Sequence, residues 1–125
     1  METICVYSRA DAIEDGVLID VTKIAKEAGF KVPVAVTSSV WMDCIVWTDE
    51  DTKTYQDQEG RLWDVVYMAN YAARKDRDSQ MIKVELYRVP RQGKEVESLP
   101  VELKMVISGG DNGEPVITIS QPEED

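Results

Sequence analysis

The chain has 125 residues, the size of one ordinary domain, and 43% of them are hydrophobic, with three Trp and five Tyr, which excludes a disordered chain. Its formal net charge is −10, a field that repels nucleic acid and anionic membranes. It contains no histidine, which excludes Ser–His and Cys–His nucleophile pairs and histidine-bearing metal sites.

Ser8 is a candidate N-cap for a short helix over 9–15, and Gly16 supplies the positive φ that ends it. Residues 17–21 read as a short extended piece. Thr22 then caps a helix over 23–28, which Gly29 stops, with Phe30 folding back as an apolar latch. "KVPVAV", residues 31–36, is extended, and Pro33 is expected to keep it out of a central strand position. Thr37, Ser38 or Ser39 starts a third helix reaching about Trp47, with Val40, Trp41, Cys44 and Ile45 on one face. Residues 48–60 are strongly acidic and have no period, so they are expected to form an exposed loop.

The clearest helix covers 61–75. Leu62, Val65, Val66, Ala69, Ala72 and Ala73 form an apolar stripe suited to a sheet face. Trp63, Tyr67 and Tyr71 form a second, aromatic stripe, which either packs under the N-terminal helices or stands exposed as an interface anchor. From Met81 the period changes to two, which predicts strands over 81–87, 101–107 and 116–120. The result is one α+β domain over 1–125, with N-terminal helices packed on a C-terminal antiparallel β-meander of three or four strands.

Several motifs invite a functional reading. "SGGDNGEPVITIS", residues 108–120, is rich in glycine and acid. A phosphate loop needs a helix behind it, whereas Pro115 and a β-branched strand follow here, so a hairpin turn is expected. "DEDTKTYQD", residues 49–57, puts Asp49 and Asp51 at calcium-loop spacing. Lys53 at the fifth position and Gly60 at the twelfth break the pattern. Cys5 and Cys44 sit among apolar neighbours and read as buried reduced thiols. The carboxylates Asp11, Asp15, Asp20, Asp43 and Asp64 show no sign of converging, so no catalytic, cofactor-binding or metal residue is assigned. The first 16 residues show no signal-peptide pattern, and no run approaches the roughly 20 apolar residues of a membrane span, so a cytoplasmic location is expected.

The charge is uneven, at −7 over residues 1–60, +3 over 61–91 and −6 over 92–125. Arg61, Arg74, Lys75, Arg77, Lys83, Arg88 and Arg91 share the basic region with Trp63, Tyr67, Tyr71 and Tyr87. That mixture can bind a strand of nucleic acid or pair with the acidic loops.

The blocks "YSRADAIEDGVLIDVT", "PVAVTSSVWMDC", "GRLWDVVYMA", "YRVPR" and "GGDNGEPVITISQPEED" span nearly the whole chain. In these blocks the chain resembles a family of small uncharacterised bacterial proteins carried on plasmids, phages and integrated mobile elements. The resemblance brings no catalytic residue and implies a cytoplasmic, mobile-element setting. Charge and resemblance together point to a non-enzymatic accessory protein acting by protein–protein binding, with an unidentified protein partner that is basic or DNA-binding. One version is a DNA mimic, in which Asp49, Glu50, Asp51, Asp57 and Glu59, with Glu95 and Glu97, imitate part of a phosphate row. A homodimeric regulatory or structural module, joined through Trp63, Tyr67 and Tyr71, is the second reading, and a carboxylate-based enzyme the third.

Overall fold

The local signals near the N-terminus act much as their chemistry suggests. The structure, a computed structural model, describes residues 7–124. Ser8 accepts from the Asp11 N–H, and Asp11 reaches back to the Ser8 N–H, a reciprocal box that starts α1 (Arg9–Glu14). After β1 (Leu18–Asp20), helix α2 (Thr22–Ala28) begins at Thr22 itself. The capping role falls to Asp20, whose carboxylate accepts the Thr22 N–H at 3.0 Å, while the Thr22 hydroxyl accepts from the Val34 N–H at 3.1 Å.

Gly29 ends α2 at φ +118°, and the N–H of the buried Phe30 closes onto the Ala25 carbonyl. A Cβ at Gly29 would also lie 3.0 Å from Asn70 Oδ1 and 3.2 Å from Arg74 Nη2. Gly29→Ala is therefore expected to lose about 2 kcal/mol of stability, read as a lowered denaturation midpoint, because backbone strain and crowding act together.

Strand β2 (Val34–Thr37) runs into α3 (Ser38–Val40), which continues as a π-helical turn, Trp41–Ile45. Thr37 is the cap, accepting from the Val40 N–H, and the turn ends two residues short of Trp47. Helix α4 (Gln58–Lys75) starts one turn earlier than its apolar period, because Asp57 caps it by accepting the Gly60 N–H at 2.6 Å. Then come β3 (Met81–Arg88), β4 (Leu99–Gly109) and β5 (Pro115–Ser120).

The predicted α+β class holds, but the predicted meander is only part of the sheet. β3, β4 and β5 form it, with antiparallel neighbours throughout. β2 adds parallel to β5 and β1 antiparallel to β2, giving a five-stranded mixed sheet of order β1-β2-β5-β4-β3. Pro33 does not keep its segment at an edge, since β2 lies between β1 and β5. The ring stands just before the ladder, where a missing N–H costs nothing, and its carbonyl accepts the Ile117 N–H at 2.9 Å.

Along the meander alternate residues face the core. Ile82, Val84, Leu86, Leu103, Met105, Ile117 and Ile119 meet Val65, Val66 and Ala69 of α4 and Ala25 and Ala28 of α2 in one apolar cluster. On the opposite face, α1 is held over β5 by Arg9, which donates to Thr118 Oγ1 and to the Ile117 carbonyl, both at 2.7 Å.

Candidate functional site

The outer side of α4 carries a ladder of large side chains at intervals of four. Tyr67 and Tyr71 are half exposed and Trp63 is 36% exposed, so the stripe is an outward surface rather than packing for the N-terminal helices. Trp63 and Tyr67 lie in a tilted arrangement with ring centroids 5.9 Å apart, and Lys75 Nζ sits 4.8 Å over the Tyr71 ring. Between this stripe and the sheet lie two adjoining grooves. One, of about 650 Å³, is lined by Asp64, Tyr67, Met68, Leu86, Tyr87 and Val101 among others. The second, of about 320 Å³, runs on along Met68, Tyr71, Lys75, Ile82 and Lys83. Desolvation raises the Asp64 pKa, opposed by the charge of Arg61.

Beside the grooves is the outer edge of β3. Among the described residues, the order of strands leaves β3 paired on one side, with β4. The Ile107 N–H bonds to the Gln80 carbonyl at 2.8 Å, which makes that pair a hydrogen-bonded one, and the register is unbroken from Met81↔Val106 to Arg88↔Leu99. By alternation, residues 82, 84, 86 and 88 spend their backbone groups on β4, and Met81, Lys83, Glu85 and Tyr87 turn theirs outward. Met81 and Tyr87 are 63% and 68% exposed. An open eight-residue edge flanked by aromatic side chains is a template for pairing with another chain. Sequence reasoning did not single out Met68 or Glu85, counted Lys83 only with the basic cluster, and used Met81 only to mark the start of a strand. The period-two pattern marked β3 as a strand, but nothing local marks it as the last one.

The acidic residues do not form a free row. Asp49, Glu50, Glu59, Glu95 and Glu97 are exposed. Asp57 is spent as the α4 cap. Asp51 receives Arg91 through both Nε and Nη2, the latter at 2.8 Å, and also the Thr48 N–H at 2.8 Å. Lys53 reaches the Pro90, Gln92 and Gly93 carbonyls, so the segment expected to be an exposed loop is fastened to residues 90–93 of the β3–β4 connection.

The Arg91 hydrogen bonds, then the Thr48 N–H, hold the Asp51 carboxyl down to about 2 from the ordinary 3.8. A depressed carboxyl stabilises fully above its unfolded value and loses that contribution as pH falls through the folded one. Acidification from about pH 4 to about pH 2 should therefore release the loop, visible as new cleavage between residues 48 and 57 by an acid-active protease.

The basic cluster is likewise partly consumed. Arg61 is 4% exposed. Its Nε donates to the Ile45 carbonyl at 3.0 Å, its Nη1 to the Val89 carbonyl at 2.9 Å, and its guanidinium carbon lies 4.8 Å from the centre of the Trp47 ring. Arg88 grips both oxygens of Asp43 at 3.1 and 3.2 Å. With Arg91 on Asp51 and Arg74 Nε donating to Asn70 Oδ1 at 2.8 Å, four of the seven basic residues thus serve the fold rather than a strand of nucleic acid.

The remaining motifs resolve into structural roles. Residues 110–114 make the β4–β5 turn, with Gly113 at φ +82°, and Asp111 accepts the Arg9 and Ala10 N–H groups at the start of α1. Cys44 is a buried free thiol pushed up to about 12, chiefly by desolvation and then by Asp43, and Cys5 lies outside the described residues. Of the five candidate carboxylates, Asp11 and Asp20 cap helices, Asp15 accepts from the Tyr7 hydroxyl, Asp43 holds Arg88 and Asp64 lines a groove. Among the described residues, no group of three or more Cys, Asp or Glu is placed to hold a metal ion, and no helix is long and apolar enough to cross a membrane.

A family model described as a family of unknown function (DUF6573) matches residues 1–125. No curated protein and no solved structure matches the chain.

Proposed function

Because the chain belongs to the DUF6573 family, a family of unknown function, its own surface must carry the argument, and we propose that it is a non-enzymatic accessory protein that binds another protein through the α4–β3 face. One observation carries this reading: Tyr67, Tyr71, Met81 and Tyr87 stand half or more exposed beside a groove and an open strand edge. Exposed aromatic anchors around a concave strip are the feature that dominates contact energies between proteins. The net charge of −10 on the whole chain favours a basic partner at long range, and the mobile-element setting implied by the resemblance is the expected context.

DNA mimicry has less support. Two of the seven carboxylates in its row are committed to Arg91 and to the α4 cap, which leaves Asp49, Glu50, Glu59, Glu95 and Glu97 to act. Capture from the native host separates the versions. A Tyr67→Ala/Tyr71→Ala chain should lose the captured protein, and an Asp49→Asn/Glu50→Gln/Glu59→Gln chain should keep it. The reverse result would establish the acidic row and overturn the aromatic face.

A further inference from the structure

We propose that the first occupant of this face is a second copy of the chain, with β3 pairing antiparallel to the partner's β3 in the register centred on Val84. The inference rests on the protein-binding reading above and names its occupant.

The free backbone groups restrict the choice. Outward N–H and C=O groups belong to residues 81, 83, 85 and 87, so these must face one another across a two-fold axis. A register centred on Val84 is the one that matches all four. Lys83 faces the partner's Glu85, Glu85 faces the partner's Lys83, and Met81 and Tyr87 face each other at both ends. Centring one residue earlier sets Lys83 against itself, and one residue later sets Glu85 against itself, both of which are unfavourable. The register with the most backbone bonds is therefore also the register with complementary charges.

The isolated sheet leaves that charge pattern unsatisfied. Within one chain Glu85 lies directly opposite Glu102, and Lys83 directly opposite Lys104. Lys83 reaches diagonally to Glu102 at 3.6 Å, a long and exposed contact. Among the described residues Glu85 has no ion pair, and the partner's Lys83 would supply one. The axis runs perpendicular to the joined sheet, so both aromatic stripes lie on the same side of it. The net charge of −10 opposes association at long range. That repulsion is screened beyond about 8 Å at physiological ionic strength, and the paired edge itself is neutral.

Sedimentation across a wide concentration range tests this with the whole chain. The wild type should shift from monomer to dimer. Lys83→Glu and Glu85→Lys should each weaken the dimer about tenfold or more, because each places like charges opposite one another twice. Mixing these two variants should restore a heterodimer, and the double exchange K83E/E85K should restore the homodimer, which a merely structural defect would not do. Glu85→Pro, which removes one outward N–H at an edge where proline is tolerated, should abolish pairing without lowering the denaturation midpoint of the dilute, monomeric chain.

A monomer at every concentration, a dimer indifferent to Glu85→Pro, or a double exchange as weak as the single variants would each overturn the proposal. A monomer that still captures a host protein through Tyr67 and Tyr71 would sink self-pairing alone and leave the binding face standing.

Discussion

Arg61→Ala is expected to lower stability by about 3 kcal/mol and the thermal midpoint by about 10 °C, with no compensation at high salt. The size follows from where the guanidinium sits. Arg61 is one turn before Val65 on α4, so its stem enters the core and its head meets the Ile45, Val89 and Asp43 carbonyls. Truncation strands these acceptors in a buried place and removes the cation from the Trp47 face. Burial lowers the Arg61 pKa, desolvation being the largest cause, yet an arginine retains its charge at any ordinary pH, so the defect should not depend on pH near neutrality. Arg61→Lys should recover less than half of the loss, because an ammonium lacks the planar fork that reaches separate carbonyls. Denaturant unfolding followed by Trp fluorescence reads all three outcomes.

The double variant Tyr67→Ala/Tyr71→Ala should behave in the opposite way. Both rings are half exposed, and Tyr71 is engaged by an exposed Lys75, so the denaturation midpoint should change by less than about 1 kcal/mol in stability. As anchors of an interface, however, each is worth about 2 kcal/mol, and the pair should cost binding by a factor of several hundred. A titration against the captured partner, alongside a melting curve, separates the two effects. Trp63 is best left in place, because more of its ring is covered and its removal would mix stability with binding.

Much of the secondary structure is legible in the chain because its signals are local. The Ser8 and Asp11 box, the Gly29 stop and the change of period at Met81 depend on neighbours within a few residues. The parts that were not legible depend on partners far away in sequence. β2 shows the contrast. Val34, Ala35 and Val36 are all fully buried, and an unbroken apolar run of this kind is the signature of a strand covered on both faces, a signal that outweighs the adjacent Pro33.

Arg61 was counted with the basic cluster although its spacing from Val65 and Ala69 already put it on the buried stripe. Asp51 and Arg91 are 40 positions apart, and no pattern within either segment announces their pairing. The open edge at β3 is a property of strand order, fixed when β1 and β2 join the sheet on the far side of β5.

Site-resolved amide exchange along β3 measures the central claim, that this edge is open and used. The Ile82, Val84 and Leu86 amides should exchange slowly at every concentration. Those of Lys83, Glu85 and Tyr87 should exchange fast in dilute solution and become protected as the chain is concentrated. Uniform protection along the strand, or an alternation untouched by concentration, would contradict it.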